Sequence, residues 1–245
     1  MSAPIVHMFP CLSDNYGLLI HDPSSGLTAT IDTPDAKEIT AQCSVKGWTL
    51  THIFNTHHHW DHTGGNLDLS EQISGLKIIG PAHDAARIPG LTEGVRGGQV
   101  FEFGTVQVNV LETPGHTTGH IIYYIPAAKL AFVGDTLFKM GCGRLFEGSP
   151  QDMFDSMAKI AALPDETQLY CAHEYTLSNG RFAMTAEPNN PAIKDEMIKA
   201  AALRDQGRPT VPTTVALEKE INPFLRAKTA AHLGEIRAAK DNFKG

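Results

Sequence analysis

Along the first 174 residues, apolar positions come in short runs with strand-like spacing. Residues 5–8, Tyr-Gly-Leu-Leu-Ile-His at 16–21 and Leu-Thr-Ala-Thr-Ile-Asp at 27–32 predict three strands, the last entered from the turn-forming Pro-Ser-Ser-Gly. A helix is expected over 35–46. The apolar, β-branched run 48–55 predicts a strand that ends directly in a histidine cluster. Thr63-Gly64-Gly65-Asn66 breaks the chain before an expected helix at 66–73, and Lys-Ile-Ile-Gly at 77–80 reads as a short buried strand. Residues 106–112 alternate and stop at Pro114-Gly115; 120–126 and 129–135 predict two more strands. Ser149-Pro150-Gln151-Asp152 has the chemistry of a helix start, with a hydroxyl cap, proline at the first helical position and an acid three residues on. Met153, Met157, Ile160 and Ala161 supply the stripe that this helix would bury. Residues 167–173 form the last expected strand. Beyond 174 the spacing turns helical, with Ile193, Met197, Ile198 and Ala201 marking one helix and Leu233 and Ile236 the last, and no strand is expected there.

Many strands with some helices, followed by an all-helical end, predict a β-rich layered α/β domain over 1–174 and a helical domain over 175–245. With 245 residues, 42% hydrophobic and 19% charged, the chain can bury a sizeable core. The net charge of −7 argues against coating nucleic acid or an anionic membrane. It is unevenly spread: residues 1–174 carry 9 Lys and Arg against 19 Asp and Glu, a balance of −10, whereas 175–245 carry 11 against 8, a balance of +3. The helical end is therefore the better host for an anionic ligand. Cys11, Cys43, Cys142 and Cys171 are scattered without a C-x-x-C pair, which suits a reduced, cytoplasmic protein. The start Met-Ser-Ala-Pro-Ile-Val-His-Met-Phe-Pro has no basic stretch leading into an apolar run, so no signal peptide is expected, and no run approaches a transmembrane length.

The segment Thr56-His57-His58-His59-Trp60-Asp61-His62 concentrates nitrogen and oxygen donors for which packing offers no reason. In extended chain His57 and His59 would point to one side. Three further donors follow apolar strands: His116 after 106–112, Asp135 ending 129–135 and His173 ending 167–173. A sheet can deliver all of them to one edge. Seven donors, His57, His59, Asp61, His62, His116, Asp135 and His173, are too many for one tetrahedral ion and suit a pair. Asp135 is the natural bridge, since one carboxylate has two oxygens to share. His7, His21, His52, His83 and His232 read as structural; His120 reads as core or as support for a ligand. His58 alternates away from its neighbours, and Cys171 reads as core filler.

The stretch Thr-His-His-His-Trp-Asp-His-Thr-Gly-Gly-Asn resembles the T-H-x-H-x-D-H signature of the metallo-β-lactamase superfamily. Thr-Pro-Gly-His-Thr-Thr-Gly-His around His116, Phe-Val-Gly-Asp-Thr-Leu-Phe around Asp135 and Cys-Ala-His-Glu-Tyr-Thr around His173 agree with it. Gly-Cys-Gly-Arg-Leu-Phe-Glu-Gly (141–148), Asn-Pro-Phe-Leu-Arg (222–226) and Arg-Ala-Ala-Lys-Asp-Asn-Phe (237–243) are similar, more narrowly, to the hydroxyacylglutathione hydrolase (glyoxalase II) family. The resemblance implies an αββα sandwich with a small C-terminal helical domain. It implies a first metal on His57, His59 and His116 and a second on Asp61, His62 and His173, with Asp135 and a hydroxide bridging. Two divalent ions per chain are expected, zinc foremost, with iron or manganese as options. The implied reaction is hydrolysis of S-D-lactoylglutathione to glutathione and D-lactate, a step of methylglyoxal detoxification, with Asp61 and Asp135 as the catalytic carboxylates.

By the same resemblance, glutathione contacts fall on Arg144, Phe146, Tyr175, Arg237 and Lys240. Tyr175, Arg237 and Lys240 match the family pattern. Arg144 stands where the family has lysine and Phe146 where it has tyrosine, which changes the geometry of one cation and removes one hydroxyl. Arg237 and Lys240 lie three apart on one face of the expected last helix. A monomer, with a glutathione thioester as its small-molecule partner, is the default for such a family. A mononuclear iron sulfur dioxygenase of the same superfamily is the main alternative; it would lack the C-terminal glutathione helices, so 222–243 count against it. Another hydrolase of this fold, a nucleic-acid-processing member among them, and a non-catalytic metal-binding protein fit less well.

Overall fold

The computed structural model describes residues 3–245, so the first two residues of the stretch read for a signal peptide lie outside it. The chain divides into two compact units. One comprises the described residues up to Glu112 with Gly119–Phe132, and the other comprises Thr113–Thr118 with Val133–Gly245.

The first unit begins with an antiparallel trio, β1 (Ile5–Cys11), β2 (Asn15–Asp22) and β3 (Leu27–Ile31). A helix α1 (Ala36–Lys46) follows and carries the chain back, so that β4 (Leu50–Phe54) pairs parallel to β3. The Asp35 carboxylate caps α1 by accepting from the Lys37 and Glu38 amides. A single turn α2 (Trp60–Thr63) and a helix α3 (Asn66–Gln72) lead to β5 (Lys77–Pro81) and β6 (Glu93–Val95), both parallel additions to the same six-stranded sheet. Ile39 and Cys43 of α1 and Leu69 of α3 bury one face of that sheet together with Phe9, Leu19, Ile53 and Ile78. A second, antiparallel sheet is made of β7 (Val100–Phe103), β8 (Val106–Glu112), β9 (Ile121–Ile125) and the start of β10 (Leu130–Gly134). The two sheets meet through aromatic side chains: Phe54 packs edge-on against Phe101 and Phe103 at 5.4 and 5.3 Å. The Tyr123 hydroxyl crosses between the sheets to donate to Asn55 O at 2.8 Å. Helix, sheet and sheet are thus stacked within this unit.

In the second unit β10 runs out to Gly134, whose carbonyl accepts from Ala172 N at 3.3 Å. A two-residue ladder, β11 (Leu137–Phe138) with β12 (Gly141–Cys142), forms a tight hairpin. Helix α4 (Pro150–Ala161) starts as expected: Ser149 and Asp152 form a reciprocal capping box, and Met153, Met157 and Ile160 are buried. Then come β13 (Gln168–Cys171), α5 (Thr176–Ala186), α6 (Pro191–Asp205), β14 (Thr213–Thr214), α7 (Val215–Ile221) and α8 (Ala230–Asp241). Met140, Ala183, Ile193 and Ile221 form a core beneath the helices. Asn222 Nδ2 donates to Phe138 O and Gly141 O at 3.2 and 3.0 Å, which pins the hairpin that follows Asp135.

Contrary to expectation, one strand does lie beyond 174: the two residues of β14 pair with Gln168 and Leu169. Strands β6, β7, β11 and β12 also had no sequence signal of their own. Each has two to four residues, too few for an alternation to register.

Candidate active site

In the first unit the donors follow directly from β4. Asp32, just past β3, is buried with φ of 59°, and its carboxylate gathers three donors. The Thr56 amide and hydroxyl donate to it at 2.7 and 2.8 Å, and His62 Nδ1 donates at 2.8 Å. Because the Thr56 hydroxyl hydrogen goes to Asp32, its oxygen accepts from His57 Nδ1, 3.1 Å away. One carboxylate thereby sets the tautomer of two imidazoles and puts the lone pair of each on Nε2. His57 Nε2 lies 3.1 Å from His59 Nδ1. The chain is not extended through this pair: His59 is the N-cap of α2, and the turn brings Asp61 and His62 round so that Asp61 Oδ2 is 3.4 Å from His62 Nε2. Asn15 Nδ2 donates to the same Asp61 oxygen at 3.1 Å.

His58, between two of these donors, has its Nδ1 on the buried Asp84 carboxylate at 3.0 Å. Burial alone would raise the Asp84 carboxyl, but donors from His83, Arg87 and His58 outweigh it and hold it below the usual range. Gly119 packs so closely on Asp84 that any Cβ there would collide with the carboxylate. His120 is buried and stacks on His57 at 4.9 Å.

In the second unit Asp135 divides its oxygens. Oδ2 is 3.4 Å from His116 Nε2 and Oδ1 is 3.5 Å from His173 Nε2. His116 Nδ1 donates to Arg144 O at 2.9 Å, which again leaves the lone pair on Nε2. Gly143 makes room for this: a Cβ at that position would collide with Asp135 O and press on His116. Tyr175 lies flat on His173, with ring centroids 4.8 Å apart and an interplanar angle of 2°.

These spacings test the fit of a metal ion. Ions bound at about 2.0–2.1 Å in tetrahedral geometry hold neighbouring donors roughly 3.3 Å apart. The four donor pairs measure 3.1, 3.4, 3.4 and 3.5 Å, so imidazoles and carboxylates of this set suit divalent metal ions.

The expected substrate residues all lie in the second unit. Arg237 is buried: its NH1 donates to Cys142 O at 2.8 Å, its NH2 to Asp241 at 2.9 Å, and its guanidinium sits 5.2 Å above Phe224. Arg144 is exposed and reaches the same Asp241 at 3.8 Å. Lys240 Nζ donates to Ser178 O at 3.0 Å and lies over the Phe182 and Phe243 rings. Burial, reinforced by the charges of Arg237, Arg181 and Arg144, pushes its ammonium down to about 8. Phe146 is 62% exposed, with its ring 5.3 Å from that of His116. The structure thus groups Arg144, Arg181, Arg237 and Lys240 as one basic neighbourhood. Arg237, however, is already engaged by its own chain.

Residues 29–173 match the family profile of the metallo-β-lactamase superfamily, and residues 174–243 match that of the hydroxyacylglutathione hydrolase C-terminus. A hydroxyacylglutathione hydrolase of Maricaulis maris is 50% identical, covering 99% of this chain and 100% of that protein. One of Brucella ovis is 52% identical, covering 97% and 98%. The chain belongs to the hydroxyacylglutathione hydrolase family. Among solved structures, ETHE1 from Myxococcus xanthus has a TM-score of 0.74 at 27% identity, covering 98% of this chain and 92% of that one. Membership in the hydroxyacylglutathione hydrolases confirms the expected metallo-β-lactamase-type α/β fold with a helical C-terminal part.

Sequence reasoning missed Asp32, Asn15, Asp84 and Arg181. Asp32 and Asn15 stand alone at a strand end and a strand start, so no spacing marks them. Asp84 sits in an irregular turn between β5 and β6. No helix among the described residues is long and apolar enough to cross a membrane.

Proposed function

We propose that the protein hydrolyses S-D-lactoylglutathione to glutathione and D-lactate with two divalent metal ions, zinc foremost. His57, His59 and His116 would hold one ion, Asp61, His62 and His173 the other, and Asp135 both. In the first unit His57 with His59 and Asp61 with His62, and in the second His116 and His173 with Asp135, stand at spacings suited to an ion, which supports this assignment. The observation that carries the reading is the Asp135 carboxylate, turned so that each oxygen faces a different histidine. A ligand of a single ion has no need of that orientation.

When bound, such ions acidify water and polarise a carbonyl. The chain's own groups do the rest. Asp32 fixes the tautomers of His57 and His62, and the Arg144 carbonyl fixes that of His116. Asp61 and Asp135 orient the attacking water by accepting from it. The leaving group is a thiolate whose acid has a pKa of about 8.5, so no side chain need protonate it. Arg144, Phe146, Tyr175, Arg237 and Lys240 receive the glutathione moiety, and the basic neighbourhood of Lys240 favours its carboxylates. Residues 1–174 carry the chemistry in this reading and 175–245 most of the tripeptide recognition. The enzyme acts as a cytoplasmic monomer; four free, buried thiols suit that compartment.

The test is turnover of S-D-lactoylglutathione, followed by release of free thiol, alongside elemental analysis of the same sample. Two metal ions per chain with thioester hydrolysis are expected. Full activity with one ion would sink the dinuclear assignment, and no thiol release from metal-loaded protein would sink the substrate.

A further inference from the structure

Asp61 differs from the histidines around it in how it is held. Its side chain is 24% exposed and sits on a single helical turn, where a carboxylate has several rotamers open to it. What fixes it comes from 46 residues earlier. Asn15 is the first residue of β2, paired with Cys11 across the hairpin, and is buried. Its Nδ2 donates to Asp61 Oδ2 at 3.1 Å and reaches Asp61 O at 3.5 Å. One amide therefore grips both the side chain and the backbone of the residue. The three-residue connection between Cys11 and Asn15 is itself bent, with Leu12 at φ of 49°. Asparagine suits the place for a chemical reason. Aspartate would set a second negative charge against Asp61, and an aliphatic residue would offer no donor.

We infer that Asn15 is a positioning residue for the metal site, which orients the Asp61 carboxylate toward the ion that Asp61 shares with His62. The inference rests on the proposed reading of Asp61 as a ligand. Asn15 is not among the residues proposed to hold the ions or the substrate. Its effect passes through Asp61, so it controls one ion of the pair and not the other, whereas Asp32 acts on both, through His62 directly and through Thr56 on His57.

The experiment is a double-mutant cycle read as zinc affinity, by titrating the apoprotein against a chromophoric chelator that competes for both ions. Asp61→Ala identifies which of the two dissociation constants Asp61 controls. Asn15→Leu, close in volume but without a donor, should weaken that constant roughly 10–100-fold and leave the other unchanged. In the Asp61→Ala background the same Asn15→Leu change should have a far smaller effect, because only the long contact to the backbone carbonyl remains and no carboxylate is left to be held. Asn15→Ala is carried through the same cycle, in case leucine does not fit beside Cys11. An equal loss in both backgrounds would make Asn15 merely structural and overturn the inference, as would an unchanged constant in the single variants. If Asp61→Ala itself moved neither constant, the ligand assignment would fail first and the inference with it.

Discussion

The two units hold their donors by different means. In the first, side chains hold side chains: Asp32 and Thr56 set His57 and His62, Asn15 grips Asp61, and Asp84 takes the ring of His58. In the second, backbone does the work. The Arg144 carbonyl fixes His116, and the bare backbone of Gly143 lets Asp135 and His116 close in. That same short segment carries Arg144 and Phe146 and is anchored by Arg237 on Cys142 O. Donor geometry and the residues proposed for substrate recognition therefore share one strip of backbone in the second unit, whereas the first unit carries donors alone. A change in the first unit should disturb metal alone. A change near residues 142–146 should disturb metal and substrate together.

The largest effect is expected from Asp135→Ala, which removes the carboxylate proposed to serve both ions. It should lose more activity than the roughly 10–100-fold typical of residues that merely support a ligand. Elemental analysis should show loss at both metal positions; retention of both ions would break the account of Asp135. Next comes Asp32→Ala. It should weaken metal binding about 10–100-fold while leaving KM in the fully loaded enzyme unchanged. A KM that rose with it would erase the contrast between the units.

Arg237→Ala sharpens the other side of the comparison. Sequence alone suggests a pure substrate contact, with KM raised and metal untouched. The buried guanidinium instead holds Cys142 O and Asp241, so its removal should cost about 1.5–3 kcal/mol of stability, read as a lower Tm, and should loosen metal binding as well as raise KM. Lys240 is the control, because its ammonium sits at the rim of this network. Its pKa near 8 means it is charged below that pH and loses its charge as pH rises through it. Affinity for an S-alkylglutathione inhibitor should therefore fall between about pH 7 and 9, and the difference should vanish in Lys240→Arg, whose guanidinium stays charged. Equal pH profiles for the two proteins would remove Lys240 from the binding surface. The smallest effect belongs to Phe146→Tyr. Placing a hydroxyl on this exposed ring should tighten the same inhibitor by about 0.5–1.5 kcal/mol, and an unchanged inhibition constant would show that the ring faces elsewhere.

What the sequence revealed follows the same division. His57, His59, Asp61 and His62 were legible because their density within six residues has no packing explanation. His116, Asp135 and His173 were legible because each is the first strong donor after an apolar run. The supports were not. Asp32 and Asn15 are single polar residues at strand termini, where such residues are ordinary, and only the folded chain brings them to their partners 30 and 46 residues away. The burial of Arg237 was hidden for a related reason: a cation near the end of a helix reads as solvated until Cys142 and Phe224 are seen beside it. Long strands and α4 were readable from period and cap. The short strands β6, β7, β11, β12 and β14 exist only because a neighbour offers them a partner.

The four cysteines, finally, bear on how such an enzyme survives its own product. Hydrolysis of a glutathione thioester releases a thiol into a cell that also contains its disulfide, and an accessible thiolate on the protein would be captured as a mixed disulfide. Cys11, Cys43, Cys142 and Cys171 are all buried, and burial pushes their thiols up to about 12, 11, 11 and 12. At neutral pH the ionised fraction of each is on the order of one in ten thousand or less. The fold thus makes the chain an inert bystander to thiol–disulfide exchange, and its turnover should be indifferent to the ratio of reduced to oxidised glutathione.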